Sequence, residues 1–106
     1  MRQSFDFALS SAAVVARISN AICHEIRIVL GGVAPFPYQV YKVGEMIKGK
    51  RLDEELILQA AEASVEEARP LPMNRYKVDV TRALVARALR LVLRESVSSE
   101  ALETSG

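Results

Sequence analysis

The chain has 106 residues, half of them hydrophobic and a quarter charged, with a formal net charge of +1; that length fits one domain with one modest core, and the balance argues against a global nucleic-acid-binding field or an acidic disordered chain. One cysteine, Cys23, and one histidine, His24, exclude an internal disulfide and any multi-cysteine or multi-histidine metal centre. No apolar run approaches the ~20 residues of a membrane span, and Arg2 leads into Asp6 rather than a signal-peptide apolar block, so the chain is expected in the cytoplasm.

Residues 4–18 alternate at first. Phe5, Phe7 and Leu9 face one way and Asp6, Ala8 and Ser10 the other; further along, Val15 and Arg17 continue the Phe5 side, while Val14, Ala16 and Ile18 take the opposite one. Period two and β-branched side chains predict a strand, with a helix left open over Leu9 to Ile18, where the alternation weakens. Ser19-Asn20-Ala21 predicts a reversal, because asparagine tolerates left-handed backbone. His24 to Leu30 alternates again, Ile26, Ile28 and Leu30 against Glu25, Arg27 and Val29. The two segments predict an antiparallel hairpin whose apolar face needs a cover, since a lone ribbon is marginal in water. Gly31-Gly32 predicts a bulge or turn, and Pro35 and Pro37, which lack donors, are expected to end the sheet.

The remainder reads helical. Tyr38 to Lys48 sets Val40, Val43 and Ile47 on one side, with Gly49 as a left-handed C-terminal cap. Asp53 is an N-cap candidate, and Glu54 and Glu55 suit the positive end of the helix that follows, whose stripe is Leu56, Ile57, Ala60, Ala61, Ala63 and Ala68. Pro70 and Pro72 stop it. Asp79 is a third cap candidate, before Leu84, Val85, Ala88, Leu89 and Val92 at helical spacing. Residues 96–106 are small and polar and are expected to fray. Strands first and helices afterwards predict a single α+β domain over residues 1–106: a small antiparallel sheet, its N-terminal hairpin covered on one face by three C-terminal helices.

Charge is segregated between the last two helical stretches. Residues 51–74 carry a net −4 and residues 75–95 a net +4. Complementary solvated faces of two antiparallel neighbours account for this, since exposed pairs are weak and common. A sharper reading makes Arg82, Arg87, Arg90 and Arg94 an interface for an acidic partner subunit. Nucleic-acid binding is disfavoured, because few aromatics are available to stack on bases.

Candidate chemistry is thin. Cys23 and His24 are adjacent in a predicted strand, so they point to opposite faces and cannot form a nucleophile–base dyad. Glu54-Glu55 and Glu66-Glu67 diverge around their helix by about 100° per residue and are not poised for acid–base work. No phosphate-loop glycine motif follows a strand. Met46 and Met73 read as gap fillers, and Tyr38, Tyr41 and Tyr76 as ordinary half-buried phenols, with the rim of an interface as the alternative.

Four runs carry a resemblance: Phe5-Asp6-Phe7-Ala8-Leu9; Arg27-Ile28-Val29-Leu30-Gly31-Gly32-Val33-Ala34-Pro35; Leu52-Asp53-Glu54-Glu55; and Arg82 to Leu89. Over about residues 2–95 the chain resembles the C-terminal domain of the FAD-binding, medium subunit of molybdenum hydroxylases, the carbon monoxide dehydrogenase and xanthine dehydrogenase family. Arg2, Phe5, Asp6 and Phe7 match the family's opening pattern, with Ala8 in place of its proline. The resemblance implies an α+β unit behind two flavin-binding subdomains. The intact subunit holds FAD and passes electrons from iron–sulfur clusters, reduced by a molybdenum cofactor in a larger subunit, to an acceptor. The flavin-binding subdomains fall outside this sequence, so no cofactor is expected for this chain alone. The implied partners are those subdomains and the molybdenum-cofactor and iron–sulfur subunits. Arg2 is the one residue the resemblance implies near the cofactor, and Gly31 and Gly32 are given a structural role. No residue matches a catalytic one or a metal ligand. The expectation is a non-catalytic structural and assembly module; the alternative is a free-standing interaction module without a redox role. In either case bare apolar surface favours a homo-oligomer.

Overall fold

The structure, a computed structural model, describes residues 3–9, 11–31, 37–69 and 75–105, with side chains in the last helix as far as residue 98. Among these residues lie four strands, β1 (Gln3–Leu9), β2 (Ala12–Ser19), β3 (Ile22–Leu30) and β4 (Tyr38–Gln39), followed by three helices, α1 (Tyr41–Ile47), α2 (Glu54–Glu67) and α3 (Arg75–Ser105). The strands form one antiparallel sheet in sequence order. The α+β class, with strands first and three helices after, is as the sequence predicts.

The hairpin is a correction in detail. Residues 4–18 are two strands, not one, because β1 turns back into β2 with Leu9 opposite Ala12. A single strand of that length would run about 50 Å, far beyond the ~17–20 Å of ordinary strands. The reversal changes which residues share a face. Antiparallel pairing sets Phe5 against Ala16 and Phe7 against Val14. The two phenylalanines therefore join Ala12, Val14, Ala16 and Ile18 on the helix side, while Val15 and Arg17 face outward.

The β2–β3 turn is the predicted one. Asn20 and Ala21 have φ of 53° and 65°, the positive values that a two-residue hairpin of the primed type requires. A register shift follows at once: Arg17 pairs with Glu25, but Ile18 pairs with Cys23. His24 is the extra residue. This bulge reverses the alternation, so Cys23 enters the core with no exposure and His24 stays half-buried at its edge.

The sheet does not end at the prolines. Tyr38 and Gln39 return to pair with Leu30 and Val29, and the Val40 N–H donates to the Ile28 carbonyl at 2.9 Å. A proline just ahead of a strand costs it no ladder donor. Helix α1 accordingly begins at Tyr41 rather than Tyr38. It ends as expected, with Gly49 at φ 83°, and the Gly49 N–H donates to the Cys23 carbonyl at 2.7 Å. Gly44 lets α1 lie close on β3, since a Cβ there would come within 3.1 Å of the Ile26 carbonyl oxygen.

Helix α2 starts where predicted: the Asp53 carboxylate accepts the Leu56 N–H at 2.8 Å. Asp79 is not a cap. Helix α3 begins at Arg75, and Asp79 lies in its second turn, held by Arg82. Nor does the chain fray after Ser96, for α3 runs on to Ser105. Once a helix is anchored, here by Val85, Leu89 and Val92, propagation through good formers such as Glu100, Ala101 and Leu102 is cheap. Helix α3 packs on β1 and β2, α1 packs on β3, and α2 packs against both helices.

Ala21 sits in backbone that L-residues adopt at a cost. Ala21→Gly is expected to raise unfolding stability by roughly 1 kcal/mol, read from a urea titration; an unchanged or lower midpoint would show that the turn is unstrained.

Candidate functional site

Helix N-termini are the elementary anion sites of a fold, because their first N–H groups lack partners. Two of the three here are filled by the chain's own carboxylates. Asp53 caps α2. Val40, at the N-cap of α1, has no side chain to offer, and Glu67 from the end of α2 takes its place. One Glu67 oxygen, Oε1, accepts the Lys42 N–H at 3.0 Å and the Val43 N–H at 3.2 Å, and the Tyr38 hydroxyl donates to Oε2 at 3.5 Å. Burial, and next the neighbouring Glu67 carboxylate, push the Tyr38 phenol above its ordinary value.

The other charges are joined across the α2–α3 seam. The helices run antiparallel, so Glu54 near the start of α2 meets Arg90, and Glu62 meets Arg82. Arg90 donates through Nη2 at 2.6 Å and through Nε at 2.8 Å to one Glu54 oxygen. Arg82 donates through Nε to Glu62 at 2.6 Å and through Nη1 to Asp79 at 3.0 Å. The hydrogen bonds they donate to these carboxylates hold both guanidiniums above their ordinary pKa, and Arg90 holds Glu54 below the usual carboxylate range. Between the two ion pairs lies an open groove of about 550 Å³, floored by Ala61, Ala83 and Ala86 and edged by Leu58.

The structure disperses the residues that the sequence marks out. Gly31 follows β3 directly, and its N–H donates to the Ser11 carbonyl at 2.7 Å; the register shift between β2 and β3 lies at Cys23–Glu25. Arg2, Gly32 and Met73 lie outside the described residues. Arg82, Arg87, Arg90 and Arg94 share α3, but α2 carboxylates occupy Arg82 and Arg90. Tyr41 and Tyr76 are largely exposed rather than half-buried. Among the described residues no three His, Cys, Asp or Glu side chains converge as metal ligands, and no helix is long and apolar enough to cross a membrane. Carboxylates thus engage N–H groups at the starts of α1 and α2, and the α2–α3 groove is open to solvent. Sequence reading missed Glu67 as the cap of α1; the one available signal was the lack of any Ser, Thr, Asp or Asn ahead of that helix.

Cys23 is chemically quiet. Burial pushes its thiol up to about 11, opposed by a weaker interaction with the Glu25 carbonyl. A thiol raised in the folded state stabilises fully below its unfolded value, near 9.0, and loses that contribution as pH climbs through about 11. Native protein should therefore resist thiol reagents at neutral pH and react on unfolding. Its stability should fall across that alkaline window, and Cys23→Ala should remove this part of the fall; rapid native labelling would contradict the burial.

A model of the CO dehydrogenase flavoprotein C-terminal domain matches residues 1–92. The glyceraldehyde dehydrogenase medium chain of Sulfolobus acidocaldarius is 25% identical over 96 residues, 87% of this chain and 34% of that one. Among solved structures, quinoline 2-oxidoreductase from Pseudomonas putida 86 superposes with a TM-score of 0.59 at 20% identity, over 92% of this chain and 37% of that one. Carbon monoxide dehydrogenase from Hydrogenophaga pseudoflava, a form lacking the Mo-pyranopterin moiety, gives 0.55 at 21% identity, over 83% and 33%. The chain spans about a third of the length of these relatives. With the family model covering most of its residues, the sheet-and-helices unit described above belongs to the CO dehydrogenase flavoprotein C-terminal domain family.

Proposed function

We propose that the chain is the bracing and assembly domain of an FAD-binding subunit of a molybdenum hydroxylase and performs no chemistry of its own. The family match over residues 1–92 carries this reading. In an intact enzyme of this kind, FAD would take electrons from iron–sulfur clusters and hand them to an acceptor. This domain would pack against the flavin-binding subdomains and help dock the subunits that carry the clusters and the molybdenum cofactor.

The arrangement of charge supports a structural part. Asp53 and Glu67 cap helices, and Glu54, Glu62 and Asp79 bind arginines. No carboxylate among these is left poised beside a nucleophile or a second acid. A flavin site also needs a concave, mostly enclosing pocket, and one sheet with helices on one side supplies a single wall. FAD therefore belongs to the intact subunit on this reading, not to this chain alone. A free-standing interaction module is the second reading, favoured by the exposure of Leu58, Tyr76 and Val97.

Titrating the purified chain into FAD should leave flavin emission unchanged at micromolar protein. Stoichiometric quenching would overturn the bracing role. The coding DNA directly upstream separates the two readings: flavin-binding sequence in frame supports the first, and an independent start with none supports the second.

A further inference from the structure

Helix α3 has a face that its own domain covers only in part. Ala83, Ala86, Arg90, Leu93 and Val97 recur at steps of three and four, a heptad seam that continues past Arg90, the partner of the first residue of α2. The seam is small at one end and large at the other. Ala83 is exposed, Ala86 is buried at the floor of the α2–α3 groove, Leu93 is half-buried against the core and Val97 is 56% exposed. Leu58, at 52% exposure, stands beside the alanine end on α2. Along the outer flank run Arg87 and Arg94, one heptad or about 10 Å apart. Both are exposed, and neither makes an ion pair among the described residues, unlike Arg82 and Arg90.

That flank decides what can sit here. A second copy packed antiparallel about Arg90 would match Val97 to Ala83 and Leu93 to Ala86, but it would set Arg87 against the Arg94 of its mate, twice. Like charges facing each other across an interface are strongly disfavoured. The charge instead calls for carboxylates, and the alanine floor calls for large side chains.

We infer that this face of α3 receives an amphipathic helix of a partner protein, with bulky apolar residues over Ala83 and Ala86 and carboxylates one heptad apart opposite Arg87 and Arg94. This rests on the reading of the chain as a docking module, and gives that module its surface and the chemistry of its partner. Helix-in-groove recognition supplies the affinity, and the two arginines fix orientation and register.

The test uses the full chain and two labelled synthetic peptides of three heptads. Both carry leucine at the seam positions; one has glutamate on the flank and the other lysine. The glutamate peptide should bind, more weakly as salt rises, and the lysine peptide should not. The double variant R87E/R94E should lose the glutamate peptide by on the order of tenfold or more and gain the lysine one. Ala83→Gln, at an exposed position, should weaken binding of the glutamate peptide by filling the floor without changing charge. Equal binding of the two peptides, or binding of neither, would overturn the inference. So would a concentration-dependent dimer abolished by Val97→Asp, or a DNA duplex competing through Arg87 and Arg94. Peptide failure with FAD emission unaltered removes the surface alone; FAD binding with peptide recognition intact removes the bracing role alone.

Discussion

An antiparallel sheet with one apolar face is unstable in water until that face is covered, and every other choice in this molecule answers that constraint. The face is the row Ala12, Val14, Ala16 and Ile18 of β2, extended by Phe5 and Phe7 on one side and by Cys23, Ile26, Ile28 and Leu30 on the other. Its alanines leave space for a helix to lie close, and α3 takes it with Val85, Leu89 and Val92. At β3 a glycine does the same service from the helix side, since Gly44 brings α1 down to the Ile26 carbonyl. Helix α2 then closes the remaining flanks of α1 and α3 through Leu56, Ile57, Ala60, Ala61 and Val65.

The polar groups are arranged to support that packing. A short helix such as α1 is marginal by itself. It is held by a carboxylate from the far end of another helix, so its N-terminus exists only in the folded state. The cross-helix arginine pairs bind α2 to α3 in one register at the surface. Exposed pairs of this kind are worth little each, and their contribution is to alignment more than to stability.

A domain of this design is suited to a role inside a larger assembly. The acids Asp53, Glu54, Glu62, Glu67 and Asp79 are engaged within the domain, and its uncovered surfaces include the outer sheet face and the outer side of α3. The relatives it matches are about three times its length.

Much of this was legible in the residues. The Asn20-Ala21 reversal, the Asp53 cap, the Gly49 stop, the apolar stripes and the order of strands before helices all follow from local chemistry: turn residues, caps and periodicity act within a few positions. The family likeness was legible too, in motif order. What local pattern could not reveal was parity. Whether Phe5 lies with Val14 or with Val15 depends on a reversal between Leu9 and Ala12, and whether Cys23 or His24 enters the core depends on a one-residue bulge; both are set by which strand is the neighbour. Tertiary structure also decided that Glu67 caps α1 from 24 positions away, and that carboxylates take Arg82 and Arg90 on α3 while Arg87 and Arg94 make no ion pair among the described residues. These are contacts between residues distant in sequence, and no spacing rule within one segment encodes them.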